Sequence, residues 1–232
     1  GLALAYESQF DAGRIQNLKE RRMSLGGIRP NLVAQSLMET ATALRNMDQP
    51  KSAMNELNAA VELDLDPETK EIMLLEKADL HFELGQWEIA QETYTSVSES
   101  DNVLRAFSAQ VGLANSLHSM SNTKDALKVA NEMIPPNETS KLQQTELKAR
   151  LLTSLEDPSA FDMWNEYATN SGQNKDAKFE ALKGQAEAKF ANDLPAEAMR
   201  LYLEAYDAAA EAAQKGWAKL GIAESQMAMR DL

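Results

Sequence analysis

The feature that most constrains this chain is a small residue recurring at a nearly fixed interval. Ala53, Ala90, Ala126, Ala160 and Ala198 are separated by 37, 36, 34 and 38 residues. Four residues after each stands a second marker: Leu57, Tyr94, Ala130, Trp164 and Tyr202. Another ruler keeps the same register, because Gly112-Leu113-Ala114 and Gly184-Gln185-Ala186 each begin 14 residues before their alanine. Gly1-Leu2-Ala3 and Gly221-Ile222-Ala223 repeat that element. A period of this length marks an array whose units bury their faces on one another.

Inside each period the apolar spacing is helical. Leu32, Leu37, Ala41 and Leu44 fall near one stripe of 31–47. Ala53, Met54, Leu57, Ala60 and Val61 give the i, i+1, i+4, i+7, i+8 pattern of a buried helix face. The breaks are short and polar. Asp66 suits an N-cap and Pro67 a first turn, while Pro135-Pro136 stops a helix because neither ring can extend one. Gly 10 and Pro 7 in 232 residues leave room for long regular elements. The reading is therefore an all-α chain of antiparallel helix pairs, with no alternating β pattern. Small side chains let the two helices of a pair approach closely, and the residue four further on fills the gap toward the next pair.

The markers resemble the tetratricopeptide repeat family, whose pattern is W-x2-L-G-x2-Y, then A-x3-F, then P, over about 34 residues. Trp217-x2-Leu220-Gly221 is similar to the opening, with Glu224 where tyrosine is expected. Gly85-Gln86-Trp87 followed by Ala90-x3-Tyr94 is similar to the turn and second helix, and Pro67 to the closing proline. The fourth pair departs, since Leu155-Glu156-Asp157-Pro158 has no turn glycine. The resemblance implies a right-handed superhelical α-solenoid, one array over 1–232. Its expected pairs are 1–26, 31–65, 68–99, 102–135, 139–170 and 174–213, with a trailing helix over 215–232. It also implies a non-catalytic scaffold in a larger assembly that binds a partner peptide or helix in a concave groove.

First helices would line that groove. The expected partner-facing residues are Leu75, Asp79, Phe82, Val111, Asn115, His118, Ala149, Leu152, Glu187 and Phe190, with Met38, Thr42, Arg45, Thr145 and Lys183 in comparable places. Such a mixture suits an extended peptide or a helix. Some family members clamp a terminal carboxylate with paired lysines and asparagines; Asp79 and Glu187 disfavour that here.

Composition narrows the chemistry. With 36 acids against 23 Lys and Arg the formal charge is −13, the wrong sign for a nucleic-acid footprint. Cys 0 excludes thiolate metal sites, cysteine nucleophiles and disulfides. No HExxH, GxSxG or phosphate loop occurs, so no catalytic, cofactor or metal residue is assigned. His81 and His118 read as polar residues near the groove rather than ligands. Asp64, Asp66 and Glu68 alternate like a calcium loop but lack its glycine and closing glutamate, which favours helix capping. Asn137-Glu138-Thr139 is a lone glycosylation sequon. Residues 61–100 hold eleven acids and two lysines, whereas 1–30 are slightly basic. An acidic groove would attract a basic partner; a solvated outer face and head-to-tail self-association are the alternatives. No 18-residue apolar run occurs, so no membrane span is expected. A self-assembly module and a regulatory domain of a larger enzyme remain as other functions. Gly-Leu-Ala first helices resemble those of bacterial envelope and secretion assemblies, leaving the compartment open between periplasm and cytoplasm.

Overall fold

The computed structural model describes Ser24, residues 29–172 and residues 174–230. The expected first pair, 1–26, lies almost wholly outside these residues. Among the described residues the regular elements are helices: α1 (Pro30–Asn46), α2 (Pro50–Val61), α3 (Pro67–Glu83), α4 (Trp87–Val97), α5 (Val103–Ser119), α6 (Thr123–Glu132), α7 (Glu138–Ser154), α8 (Ala160–Asn170), α9 (Lys175–Ala191), α10 (Pro195–Ala208) and α11 (Ala212–Ala228). Long and short helices alternate, as the period requires. The largest difference from expectation is α10, which stops at Ala208 rather than near 213, because Ala209 turns to extended backbone (φ −64°, ψ 125°) before α11 starts.

The helix starts follow local chemistry. The Asp66 carboxylate accepts from the Thr69 backbone N–H at 2.8 Å and caps α3. Asn137 accepts from Ser140 N–H at 2.9 Å and caps α7, so the sequon asparagine has a structural task. Pro30, Pro50, Pro67 and Pro195 each open a helix, where a missing N–H costs nothing.

The turn inside each pair repeats one backbone device. Asp48, Gly85, Ser121, Glu156 and Asp193 all take positive φ, between 55° and 71°. The next N–H reaches back to close the turn: Gln49 to Leu44, Gln86 to His81, Asn122 to Leu117, Asp157 to Leu152 and Leu194 to Lys189, at 2.8–3.0 Å. Only Gly85 among these five adopts the left-handed region without a Cβ penalty.

Two units follow from the packing, one through Ser116 and one from Leu117, with the division inside α5. The first unit buries Leu37, Leu44, Leu57, Met73 and Leu80 almost completely. Each such side chain contributes about 1.5–3 kcal/mol over exposure. Ala78, Ala90, Tyr94, Val97 and Ala109 form a further core cluster there. The second unit packs Ala149, Ala160, Trp164, Tyr167 and Ala181 in one cluster and Ala186, Ala198, Leu201 and Tyr202 in another.

The repeat alanines are the contact points, each 0% exposed. Beyond them, rings meet glycines. A Cβ added to Gly112 would lie 2.3 Å from the Tyr94 ring; at Gly184 it would lie 1.9 Å from the Trp164 ring, and at Gly221 2.4 Å from the Tyr202 ring. Those three glycines permit the aromatic side chain of one pair to lie against the first helix of the next. Where the second-helix marker is Leu57 or Ala130, the register-equivalent residue of the next pair is Glu76 or Glu146 instead of glycine. Bulk on one helix is thus matched by its absence on the neighbour.

Candidate functional site

The first helices carry the expected partner-facing residues in three register positions. These lie one residue before, three after and six after the position that stands 14 residues ahead of each repeat alanine. In the first unit the set is Leu75, Asp79, Phe82, Val111 and Asn115. Asp79 is open to solvent, and Leu75, Phe82, Val111 and Asn115 are half-buried. Phe82 also packs on the Ala78–Tyr94 cluster, so it supports the core as well as lining a surface.

In the second unit the structure separates the candidates. His118, Glu187 and Phe190 are half-buried. Ala149 is 0% and Leu152 9% exposed, both inside the core cluster of α7 and α8, so their side chains face helices rather than an open surface. Phe190 packs on the Ala198–Tyr202 cluster. Both histidines close turns: His81 Nδ1 lies 2.6 Å from Gln86 Oε1 and His118 Nδ1 3.0 Å from Thr123 Oγ1. Burial lowers the His118 pKa, with Arg150 adding to the effect. Asp64, Asp66 and Glu68 do not converge on a common point with other ligands; among the described residues no group of three metal-ligating side chains forms.

Electrostatics in the first unit centre on Arg45, from the end of α1. Its Nη1 lies 3.2 Å from Glu76 Oε2, its Nε donates to Glu83 Oε2 at 3.1 Å, and its Nη2 pairs with Glu83 Oε1. The Tyr94 hydroxyl donates to the Asp79 carboxylate beside them. Protein surrounds Asp79 on most sides although water still reaches it, and this desolvation raises its carboxyl pKa. Desolvation, then Asp79, raises Glu76. Burial first and the Asp79 hydrogen bond second push Tyr94 upward. Arg105 fastens α5 to the same acidic stretch, with Nε 2.8 Å from Glu71 and Nη1 3.0 Å from Glu68. Two arginines therefore engage four of the eleven acids in residues 61–100.

The second unit has a concave site. An open recess of about 310 Å³ lies between α7, α9, α10 and α11. Glu187, Phe190, Tyr202, Trp217, Leu220 and Glu224 dominate its lining. Tyr202 and Trp217 pack with ring centres 5.2 Å apart at 59°, and Phe179 meets the indole edge-on at 6.0 Å. Desolvation raises the Glu187 carboxyl above its ordinary range, with Lys183 opposing it. Burial, then Glu187 and Glu224, pushes the Tyr202 phenol up to about 12. Trp217, Tyr202, Leu220 and Glu224 were not among the expected partner-facing residues. The register could have found two of them, because Leu220 stands just before Gly221 and Glu224 three residues after it.

No protein-family model matches the chain, and none of the curated proteins does. Among solved structures the chain is similar to the crystal structure of the P58(IPK) TPR domain, with a TM-score of 0.46 and 16% identity, over 95% of this chain and 67% of that one. The chain's own helices, alternating in length and packed in consecutive pairs, are consistent with a tetratricopeptide-like repeat.

Proposed function

We propose that this protein is a non-catalytic interaction scaffold whose first-helix faces bind a protein partner as an extended peptide or a helix. One observation carries the reading: α3 and α5 in the first unit and α9 and α11 in the second present half-buried or exposed side chains, apolar, aromatic and acidic among them, in the same register positions. A face held by interlocked helices is ordered before binding, which lowers the cost of association. The acidic character of those positions favours partners with basic character. The Gly-Leu-Ala first helices are the support for placing such a scaffold in a bacterial envelope or secretion-type assembly.

A second reading, self-association, draws on α11, where Leu220 is 58% and Met227 65% exposed. Sedimentation over a range of concentrations separates the two: a constant mass supports the monomeric scaffold, and a rising mass supports self-assembly.

The test of the main reading is a display selection of short random peptides on the purified chain, followed by amide shift mapping with an enriched peptide. The expected perturbations fall on Leu75, Asp79, Val111 and Asn115, or on Glu187, Phe190 and their neighbours. Perturbations confined to the outer faces of second helices would contradict the reading.

A further inference from the structure

The acidic cluster of the first unit and the recess of the second occupy the same register, but only the first seats a guanidinium on its carboxylates; in the second, Lys183 is the nearby charge that acts on Glu187. Asp79, Phe82 and Tyr94 of the first unit correspond to Glu187, Phe190 and Tyr202 of the second. Val111, Gly112 and Asn115 correspond in the same way to Leu220, Gly221 and Glu224. In the first unit Arg45 sits on Glu76 and Glu83 beside Asp79. The register equivalents of Arg45, Glu76 and Glu83 in the second unit are Leu152, Gly184 and Ala191.

Those three replacements empty the recess of the second unit. A guanidinium and two glutamate side chains give way to a buried leucine, a glycine and an alanine. The acidic character survives, because Glu187 stands in place of Asp79 and Glu224 is new where the first unit has Asn115. None of the lining side chains is Lys or Arg. Lys183 approaches from outside the lining: its ammonium lies 5.6 Å from the Trp217 ring centre and 3.5 Å from Glu180. No hydrogen bond from a described residue reaches the Glu187 carboxylate.

Resting on the scaffold reading above, we infer that the recess of the second unit takes an arginine side chain from a protein partner. The chemistry of the walls selects it. A guanidinium is planar, stacks on aromatic faces and pairs with carboxylates through a fork of N–H donors. Trp217 and Phe190 supply half-buried rings over a floor that includes the buried Tyr202, Glu187 and Glu224 supply acceptors, and Leu220, 58% exposed, offers an apolar edge for the methylene stem. The first unit offers a partial parallel: Arg45 lies on Glu76 and Glu83 of α3, next to the α4 tyrosine that donates to Asp79, the counterpart of Glu187.

The experiment selects short random displayed peptides on the full chain, then titrates one enriched peptide and its arginine-to-citrulline form. Citrulline keeps the shape and removes the charge. We expect enrichment of arginine, and a loss of roughly tenfold or more in affinity with citrulline, the scale of one charge-assisted contact. The Glu187→Gln, Glu224→Gln double variant should lose affinity similarly while its thermal melt is unchanged or higher. Enriched peptides without arginine, lysine serving equally, or citrulline binding as well would overturn the arginine recess and leave the scaffold reading standing. Failure to enrich any peptide would overturn both.

Discussion

The acidic cluster of the first unit and the acidic recess of the second answer the same packing problem in opposite ways. In the first, α1 sends Arg45 across to α3, and Glu76, Asp79 and Glu83 share one internal guanidinium. In the second, the equivalent arginine is Leu152, which joins the core, and the carboxylates of Glu187 and Glu224 face an unfilled recess. One register can therefore serve stability or recognition, depending on whether the chain supplies the counter-charge. An acid raised chiefly by desolvation, as Glu187 is even beside Lys183, weakens the free fold somewhat and favours whatever brings further positive charge.

The comparison breaks first if the shared framework is not what holds each site in shape. Gly184→Ala should cost about 3 kcal/mol in chemical denaturation, the upper end for overpacking, since its Cβ would sit 1.9 Å from the Trp164 ring. Gly112→Ala against Tyr94 should cost somewhat less. Pairing Gly184→Ala with Trp164→Leu should recover part of the loss, a coupling that independent sites would not show.

Arg45→Ser is the next largest effect. It leaves Glu76, Asp79 and Glu83 without their cation and should destabilise the chain by about 1–2 kcal/mol, discounted because these side chains are partly solvated. It should also let the first unit take up N-acetyl-argininamide, seen as chemical shifts at Asp79 and Phe82. A variant that loses stability without gaining that site would show that the first unit's acidic cluster and the second unit's recess are not equivalent.

Glu187→Gln moves the other way. Because folding raises the Glu187 carboxyl pKa, its charged form is disfavoured in the free protein, and removing the charge should raise the melting midpoint by up to about 2 °C. The same sign governs pH. Glu76, Asp79 and Glu187, raised chiefly by desolvation, penalise the fold when ionised, and that penalty disappears as pH falls from neutrality through their raised values. Asp66, Glu71 and Asp157 are lowered by hydrogen bonds, from Thr69 N–H, the Ser100 hydroxyl and the Ser159 hydroxyl respectively. Their contribution is present above the ordinary carboxylate range and lost as pH falls below it. Calorimetry across mildly acidic pH should find a shallow maximum on the acid side of neutrality. A melting midpoint that falls steadily from neutral pH would contradict the raised acids.

The smallest effect belongs to the turns. Glu156→Gly, at φ 55°, should stabilise the second unit by about 0.5–1 kcal/mol, provided relief of the left-handed strain outweighs the added freedom of the unfolded chain. Gly85→Ala should destabilise the first unit by a similar amount, for its φ is 71°.

The framework was legible in the sequence because its signals are local and repeated. Alanines at a fixed interval, prolines at helix starts and a capping Asp66 each act within a few residues, and together they locate most helix ends closely. The site was less legible. Ala149 and Leu152 share register positions with Asp79 and Phe82, yet apolar side chains at those positions turn into the core of α7 and α8. Arg45 was visible as a first-helix residue, but its reach to Glu76 and Glu83 depends on how α1 packs beside α3, which spacing along the chain does not encode. Trp217 reads as the opening of a repeat and as core; only its packing with Tyr202 shows that the indole also lines a recess.

The most direct measurement is the indole N–H spectrum of the three tryptophans while an arginine-bearing peptide is titrated into the chain. Trp217 should shift saturably, the half-exposed Trp87 of the first unit should hold still, and Glu187→Gln with Glu224→Gln should abolish the shift. A saturating peptide that leaves Trp217 unmoved, or that moves Trp87 instead, would contradict the account.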